Sequence, residues 1–399
     1  FKTVAEAVDT APPGAYIFLK PGIYKEHLVL TKPVSLMGDG AMANIIIESS
    51  DHPCVTMQTD YALLRGITLR RRASAPPPDQ PSAIDIPQGR LLLEACSIST
   101  NTTCAIAIYT DQANPVIWQC QIHNEAGCGI AVAEQGRGTI ETCDISGAAT
   151  DGIQIRQGGN PVIRQCNLYD NQRNGIAITE KGAGMIEECN IFDNVQAGLE
   201  IAQQSNPLVR GCTIHEQLEG HGILVTNKGT GFIEACDIYG NAQTGIAIIQ
   251  ESNPFICRCT IHDEKGVGIT VCENGHGTID SCTIMQTSDT GVSITEESNP
   301  TFRHCDISKA RRSGILVATN GTGSFQHCAI HHNAHAGVEV GQFGNPDIRH
   351  CTINQNKMAA VQINENGGAI VEECDLTNNT RGAWAIEEGC MVLGSGNRE

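Results

Sequence analysis

Aromatic side chains are scarce in this sequence: Phe, Trp and Tyr make up 4% of its 399 residues, and only two are tryptophan. The core must therefore be aliphatic, and few ring platforms remain for stacking on bases or sugars. Positive charge is short as well, with 26 Lys and Arg against 44 Asp and Glu and a formal net charge of -18. No basic stripe exists to release counterions from a phosphate backbone or to hold anionic headgroups, which argues against nucleic acid and membrane surfaces as partners. Long hydrophobic runs are missing too, since no stretch approaches the ~20 apolar residues that span a bilayer. No signal peptide is visible and the first residue is Phe1, so the chain reads as one domain of a larger protein. The basic cluster Arg70, Arg71 and Arg72 leads into ASAPPPDQPS, and residues 70–82 read as an exposed loop insertion.

What the sequence has in plenty is glycine, 42 residues, and cysteine, 19 residues. Thirteen cysteines form one series: Cys96, Cys120, Cys143, Cys166, Cys189, Cys212, Cys236, Cys259, Cys282, Cys305, Cys328, Cys351 and Cys374, at steps of 23 or 24 residues. A period in this range means stacked repeats, each too small to bury its apolar face alone. Three residues before each cysteine of the series from Cys120 onward stands an apolar residue, such as Ile117, Ile163 or Phe302, and two residues after it an Ile or Leu, such as Ile145 or Leu168. A further alternating pair follows, as in Ile153 and Ile155 or Val338 and Val340. Three short period-2 segments per ~23 residues, separated by Gly and Asn turns, predict one turn of a parallel β-coil with the cysteines facing inward. Cysteines one rung apart stand ~4.8 Å from each other with parallel Cβ vectors, whereas a disulfide wants Cβ atoms near ~3.8 Å. Free, buried thiols are expected, and with them a reducing, cytoplasmic location.

The rungs alternate in kind. Asn-Pro recurs at Asn114, Asn160, Asn206, Asn253, Asn299 and Asn345, and the intervening rungs carry Gly-x-Gly at 136, 182, 229, 275 and 321. The triplet Gly275-His276-Gly277 resembles a polygalacturonase signature, but His276 fills a slot held elsewhere by Arg137, Ala183, Thr230 and Thr322. His221 sits in an equally variable slot, and neither histidine reads as catalytic.

The paired unit SNPLVRGCTIHEQLEGHGILVTNKGTGFIEACDIYGNAQTGIAII resembles the right-handed parallel β-helix repeats of CASH-type pectin-lyase-like domains. Within that group it is most similar to the substrate-recruiting β-helix of F-box-only ubiquitin ligase subunits and their bacterial relatives. The resemblance implies an all-β solenoid with an N-terminal cap helix, whose apolar face Val4, Ala5 and Val8 can supply. Residues 1–33 are then the cap and first strand, 34–380 the β-helix with paired 46-residue repeats from about 84, and 381–399 a C-terminal strand and tail. The sequence departs from those relatives in having Cys where they commonly have Asn, which replaces a hydrogen-bonded column by a thiol column. It also lacks an F-box segment.

Catalysis on such a surface needs grouped carboxylates. The face to inspect is the residue between the inward aliphatics of the third segment, and there Glu200 and Glu339 stand six rungs apart, roughly 29 Å by strand spacing. No catalytic residue is named on this basis. Leu224, Leu316, Glu339 and Gln362 are slots that vary over a constant frame and are the expected binding positions. Asp170, Asp193 and Glu216 share a turn position with oxygen ligands suited to Ca²⁺, and His304, His327 and His350 share an outer line suited to zinc or copper. Both columns read as solvated surface in preference to metal sites, and no cofactor is expected. The reading is a non-catalytic recognition scaffold for a protein or peptide partner. The alternative is a carbohydrate-active pectin-lyase-like protein, whether lyase, hydrolase or epimerase, or a glycan binder.

Overall fold

The computed structural model describes residues 1–74 and 82–399. Residues 75–81, at the heart of the expected insertion, lie outside the described residues, while Arg70 and Arg71 end a strand, Thr68–Arg71, rather than opening the loop. The chain divides into two compact units, Phe1–Leu199 and Glu200–Glu399.

The first unit opens with the expected helix, α1 (Val4–Thr10). Thr3 caps it by accepting a hydrogen bond from the Glu6 N–H at 3.1 Å, and the Glu26 carboxylate takes the Val4 and Ala5 N–H groups at 2.9 and 2.7 Å. Both satisfy donors that a helix start leaves without partners. The buried face is Val4, Ala7 and Val8, so Ala7 takes the place expected of Ala5. Beyond the cap, each rung supplies one strand to each of three parallel sheets. Thr139–Glu141, Asp144–Ser146 and Ile153–Ile155 pair in register with Val162–Arg164, Asn167–Tyr169 and Ile176–Ile178 of the next rung. Strands of three residues suffice because Ile140, Ile145, Ile153 and Ile155 stack on like residues and are fully buried, each contributing about 1.5–3 kcal/mol. The bend between the first and second strands is a single residue in the left-handed region, as at Thr142 (φ 53) and Gln165 (φ 52). That conformation costs about 1–2 kcal/mol in a non-glycine residue. It is held because the bend keeps its place in the ladder, Thr142 N–H donating to Arg164 O at 3.1 Å and Gln165 N–H to Glu187 O at 3.0 Å.

The second unit repeats the plan: Phe232–Glu234, Asp237–Tyr239 and Ile246–Ile248 pair with Phe255–Cys257, Thr260–His262 and Ile269–Val271. It ends in two strands rather than one, Trp384–Ile386 on the third sheet and Met391–Ser395 on the first.

The cysteine series is interior. All nineteen cysteines are unbridged, and all but Cys272 and Cys390 are buried. In the second unit the Cys351 thiol donates to Arg349 O at 3.3 Å and accepts the Cys328 N–H at 3.4 Å. The thiols are thus hydrogen-bonded and not merely small hydrophobes. After Cys374 the column is continued by Asn397, whose Oδ1 accepts the Cys374 N–H at 2.9 Å and whose amide donates to Val371 O at 2.8 Å.

A separate asparagine column, which the sequence reading did not name, stands five residues after seven of the thirteen ladder cysteines. Asn171 donates to Asn194 Oδ1 at 2.8 Å in the first unit, and Asn333 to Asn356 and Asn356 to Asn379 at 3.0 Å in the second. These fully buried amides lock the turn between the second and third strands. The Gly-x-Gly turns divide their labour. A Cβ on Gly275 would lie 2.5 Å from Ile248 O, and Gly277 has φ 134, while His276 between them is exposed.

Candidate functional site

On the outer face of the third sheet, Leu316, Glu339 and Gln362 are neighbours in adjacent strands, whereas Leu224 pairs with Ala247 in a different part of the same unit. All four are half-buried, and Glu339 accepts a 2.6 Å hydrogen bond from Ser313. A shallow hollow beside Leu316 and Glu339 is completed by Thr295, Thr319 and Glu365. His221, in the slot beside Leu224, is half-buried with no partner for Nδ1, and burial lowers its pKa.

His304, His327 and His350 do form a column, with ring centroids 5.4 and 5.0 Å apart and planes within 8° of parallel. Parallel stacked imidazoles keep their nitrogens a rung apart and aim lone pairs side by side, so they do not converge on one ion. The outer two instead face carboxylates, His304 Nδ1 lying 3.2 Å from Asp280 and His350 Nδ1 3.0 Å from Glu373. Asp170 and Asp193 occupy left-handed turn positions of the first unit, and Glu216 one of the second, where it meets His215. Among the described residues the group with metal-ligand spacing is another one, Cys272 with Glu273 and Glu296, both glutamates exposed.

A grouping of proton-exchanging side chains lies on the second sheet, at the position three residues after each ladder cysteine. There His215 stacks on Tyr239 (4.7 Å, 10°) and Tyr239 on His262 (5.1 Å, 22°). Strand register puts them in line, His215 opposite Tyr239 and Tyr239 opposite His262. Carboxylates flank the stack. Glu216 lies 3.1 Å from His215 Nδ1, Asp237 3.1 Å from His262 Nε2, and Asp263 2.7 Å from His262 Nδ1. A carboxylate oxygen thus faces each ring nitrogen of His262. Burial, and then the charges of Glu216 and Asp237, raise the pKa of Tyr239, so its phenol is a hydrogen-bond donor at neutral pH. The first unit continues the motif in its own right, with Tyr169 stacked on Phe192 (5.1 Å, 9°) and a hollow lined by His123, Asp144, Ser146 and Tyr169.

Sequence reasoning missed this face because it followed the third segment, where the outward glutamates Glu200 and Glu339 stand six rungs apart. Aligning the position three after the ladder cysteine reads His123, Ser146, Tyr169, Phe192, His215, Tyr239, His262, and that concentration of rings in a chain with 4% aromatics was the available signal. Carboxylates, which stand apart on the third sheet, are grouped here.

Comparison with solved structures finds the periplasmic alginate epimerase AlgG (13% identity, 97% of this chain and 84% of that one, TM-score 0.40). It also finds the A-module of Azotobacter vinelandii mannuronan C-5 epimerase AlgE4 (14%, 98% and 93%, TM-score 0.35). A third is the catalytic domain of a GH87 α-1,3-glucanase in complex with nigerose (12%, 99% and 67%, TM-score 0.50). At such identities a likeness speaks for the fold alone. No curated protein matches the chain. The family model described as the right handed beta helix region matches residues 79–214, 198–322 and 290–397, most of the chain, and with its rungs paired in three parallel sheets the chain belongs to that right-handed β-helix family.

Proposed function

We propose that this chain is a carbohydrate-active β-helix protein and that a polysaccharide lies across the His215–Tyr239–His262 face. The observation that carries this reading is the gathering of two imidazoles, a phenol and three carboxylates on one outer sheet face, the rings half-buried. Fold likeness to the glucanase domain makes the class familiar for the scaffold, but the residues carry the argument. Hydroxyl-rich chains are recognised by donors and acceptors of this kind, and His262 and Tyr239 can give and take protons at a glycosidic oxygen and an attacking water. Charge selects the polymer. With a net charge of -18 and Glu216, Asp237 and Asp263 at the site, a neutral glycan is favoured over a polyuronate.

The test is incubation with neutral glucans, alginate and polygalacturonate, following new reducing ends and ring-proton exchange. Turnover of a neutral glycan, lowered about 10²–10⁴-fold by His262→Ala or Tyr239→Phe, is the expected result. Turnover unaffected by either substitution, or no turnover of any polymer, counts against it.

The hollow beside Leu316 and Glu339 supports a second reading, recognition of a peptide on the third sheet, in line with the resemblance to F-box-associated β-helices. Binding of peptides lost on Leu316→Asp, with no polymer bound, would favour it.

A further inference from the structure

Four successive turns between the second and third sheets of the second unit, residues 309–313, 332–336, 355–359 and 378–382, contain no Asp or Glu. They carry Lys309, Arg311, Arg312, Lys357 and Arg381, all exposed, in a chain whose net charge is -18. Backbone ladders stack these turns in register. Arg312 O accepts from the His335 N–H at 3.1 Å, His335 O from Met358 at 3.1 Å and Met358 O from Arg381 at 3.2 Å, which sets Arg312 and Arg381 in one column three rungs apart. The Lys357 N–H donates to Asn333 O at 3.0 Å and the Ala334 N–H to Ala310 O at 2.9 Å, so Lys357 stands two rungs from Arg311 in the neighbouring column. His332 and His335, also exposed, lie on the same line and add charge as they take up protons. Read along the chain no basic stripe is visible, because its cations come from separate rungs.

This charge is not neutralised locally. Among the described residues Arg312 meets Asp289 at 3.6 Å, while Lys309, Arg311, Lys357 and Arg381 form no ion pair. The first sheet of the same unit is built the other way, Arg210 pairing with Glu234 at 3.5 Å and Arg349 with Glu372, in each case one rung apart. Like charges roughly 5–10 Å apart repel within about one Debye length of ~8 Å. An uncompensated basic line of this kind complements a negatively charged partner. Its extent selects the partner. Three rung steps span roughly 14 Å, the reach of about four extended residues at ~3.3 Å each. Earlier rungs of the same turn carry Asp289 and Asp263, so a long polyanion running on past the line meets like charge. No Phe, Tyr or Trp stands in the four turns to stack on a nucleic-acid base. A short run of Asp and Glu satisfies both limits, and arginine forks take carboxylates through paired hydrogen bonds.

We propose that this ridge docks a short acidic peptide segment of a partner protein, held by Arg311, Arg312, Lys357 and Arg381. The segment lies extended from rung to rung, its carboxylates against the cations and its ends inside the basic line. None of these four residues belongs to the glycan face or to the hollow beside Leu316 and Glu339, so this reading stands or falls apart from both.

The experiment is fluorescence anisotropy of labelled hexaglutamate titrated with the full chain, with labelled hexaglutamine as the neutral control. Binding of hexaglutamate alone is expected, and it should weaken as salt rises. The paired reversal Arg311→Glu with Lys357→Glu should lower affinity at least ~10-fold, and the milder Arg381→Gln about 2–5-fold. Lys228→Glu, on a different turn where Lys228 pairs with Glu251 at 3.2 Å, should leave affinity unchanged. Equal binding of the two peptides, no binding below millimolar chain, or affinity unmoved by the paired reversal would overturn the proposal. So would hexagalacturonate or a short single DNA strand that displaces the label better than unlabelled hexaglutamate does, because the ridge would then take a glycan or a nucleic acid. Circular dichroism of each variant separates loss of charge from loss of fold.

Discussion

Glu264 is the residue at which the fold and its electrostatics disagree. It occupies the asparagine column, fully buried, where its two oxygens accept from the Asn241 N–H at 2.8 Å and the Asn241 amide at 3.2 Å. Burial pushes its pKa up to about 7, against the smaller opposing pull of those hydrogen bonds. The folded chain therefore holds a proton that the unfolded chain, at about 4.5, has released. Between these values stability falls as pH rises, and above about 7 the full penalty applies. Replacing the acid by its amide, Glu264→Gln, removes the charge and keeps one of the two accepting oxygens, as the protonated acid does. Urea denaturation at pH 8 should show the variant more stable by on the order of 3 kcal/mol, with a much smaller gain at pH 5. An equal gain at both pH values would mean that the carboxylate is not the cause. This residue was invisible in the sequence because the column it belongs to, five residues after the cysteine, alternates among Asn, Gln, Thr, Ala and Glu. Only the coordinates show that from Ala148 to Asn379 they occupy one buried turn.

At the scale of the rung, the elements were legible because each is short and repeats. The ladder cysteine, the aliphatics on either side of it and the Gly-x-Gly turns all fall where the spacing put them. Chemistry was less legible than architecture. An alternating pattern says which residues face outward but not which outward column gathers, and gathering depends on register between rungs, which a list of residues along the chain does not show. The turn at 275–277 tests the architectural side. A methyl on Gly275 meets the Ile248 carbonyl of the preceding rung, so Gly275→Ala should lower stability by about 2 kcal/mol in equilibrium unfolding. His276→Ala, at the exposed position beside it, should change stability by less than about 0.5 kcal/mol. Were the histidine the sensitive position, the turn would have to be doing something other than fitting rung to rung.

For the whole molecule, composition constrains more than any single motif. Nineteen unbridged cysteines, seventeen of them packed inward, require no oxidant for folding. Thiol titration of denatured, unreduced protein should return close to nineteen groups per chain, and a count near one would show that the series is cross-linked in the native protein. The scarcity of aromatics, which at first weighs against sugars, weighs differently once the few rings are seen to share a face with histidines and carboxylates. Family membership fixes the scaffold and leaves the surface to decide the ligand. The central claim is that the His215–Tyr239–His262 face engages a neutral polysaccharide. Affinity electrophoresis of native chain through gels containing neutral glucans, alginate or polygalacturonate tests it most directly. The account predicts retardation in a neutral glucan gel that Tyr239→Ala abolishes and Leu316→Asp leaves intact. Retardation only in the uronate gels, or retardation that survives Tyr239→Ala, would contradict it.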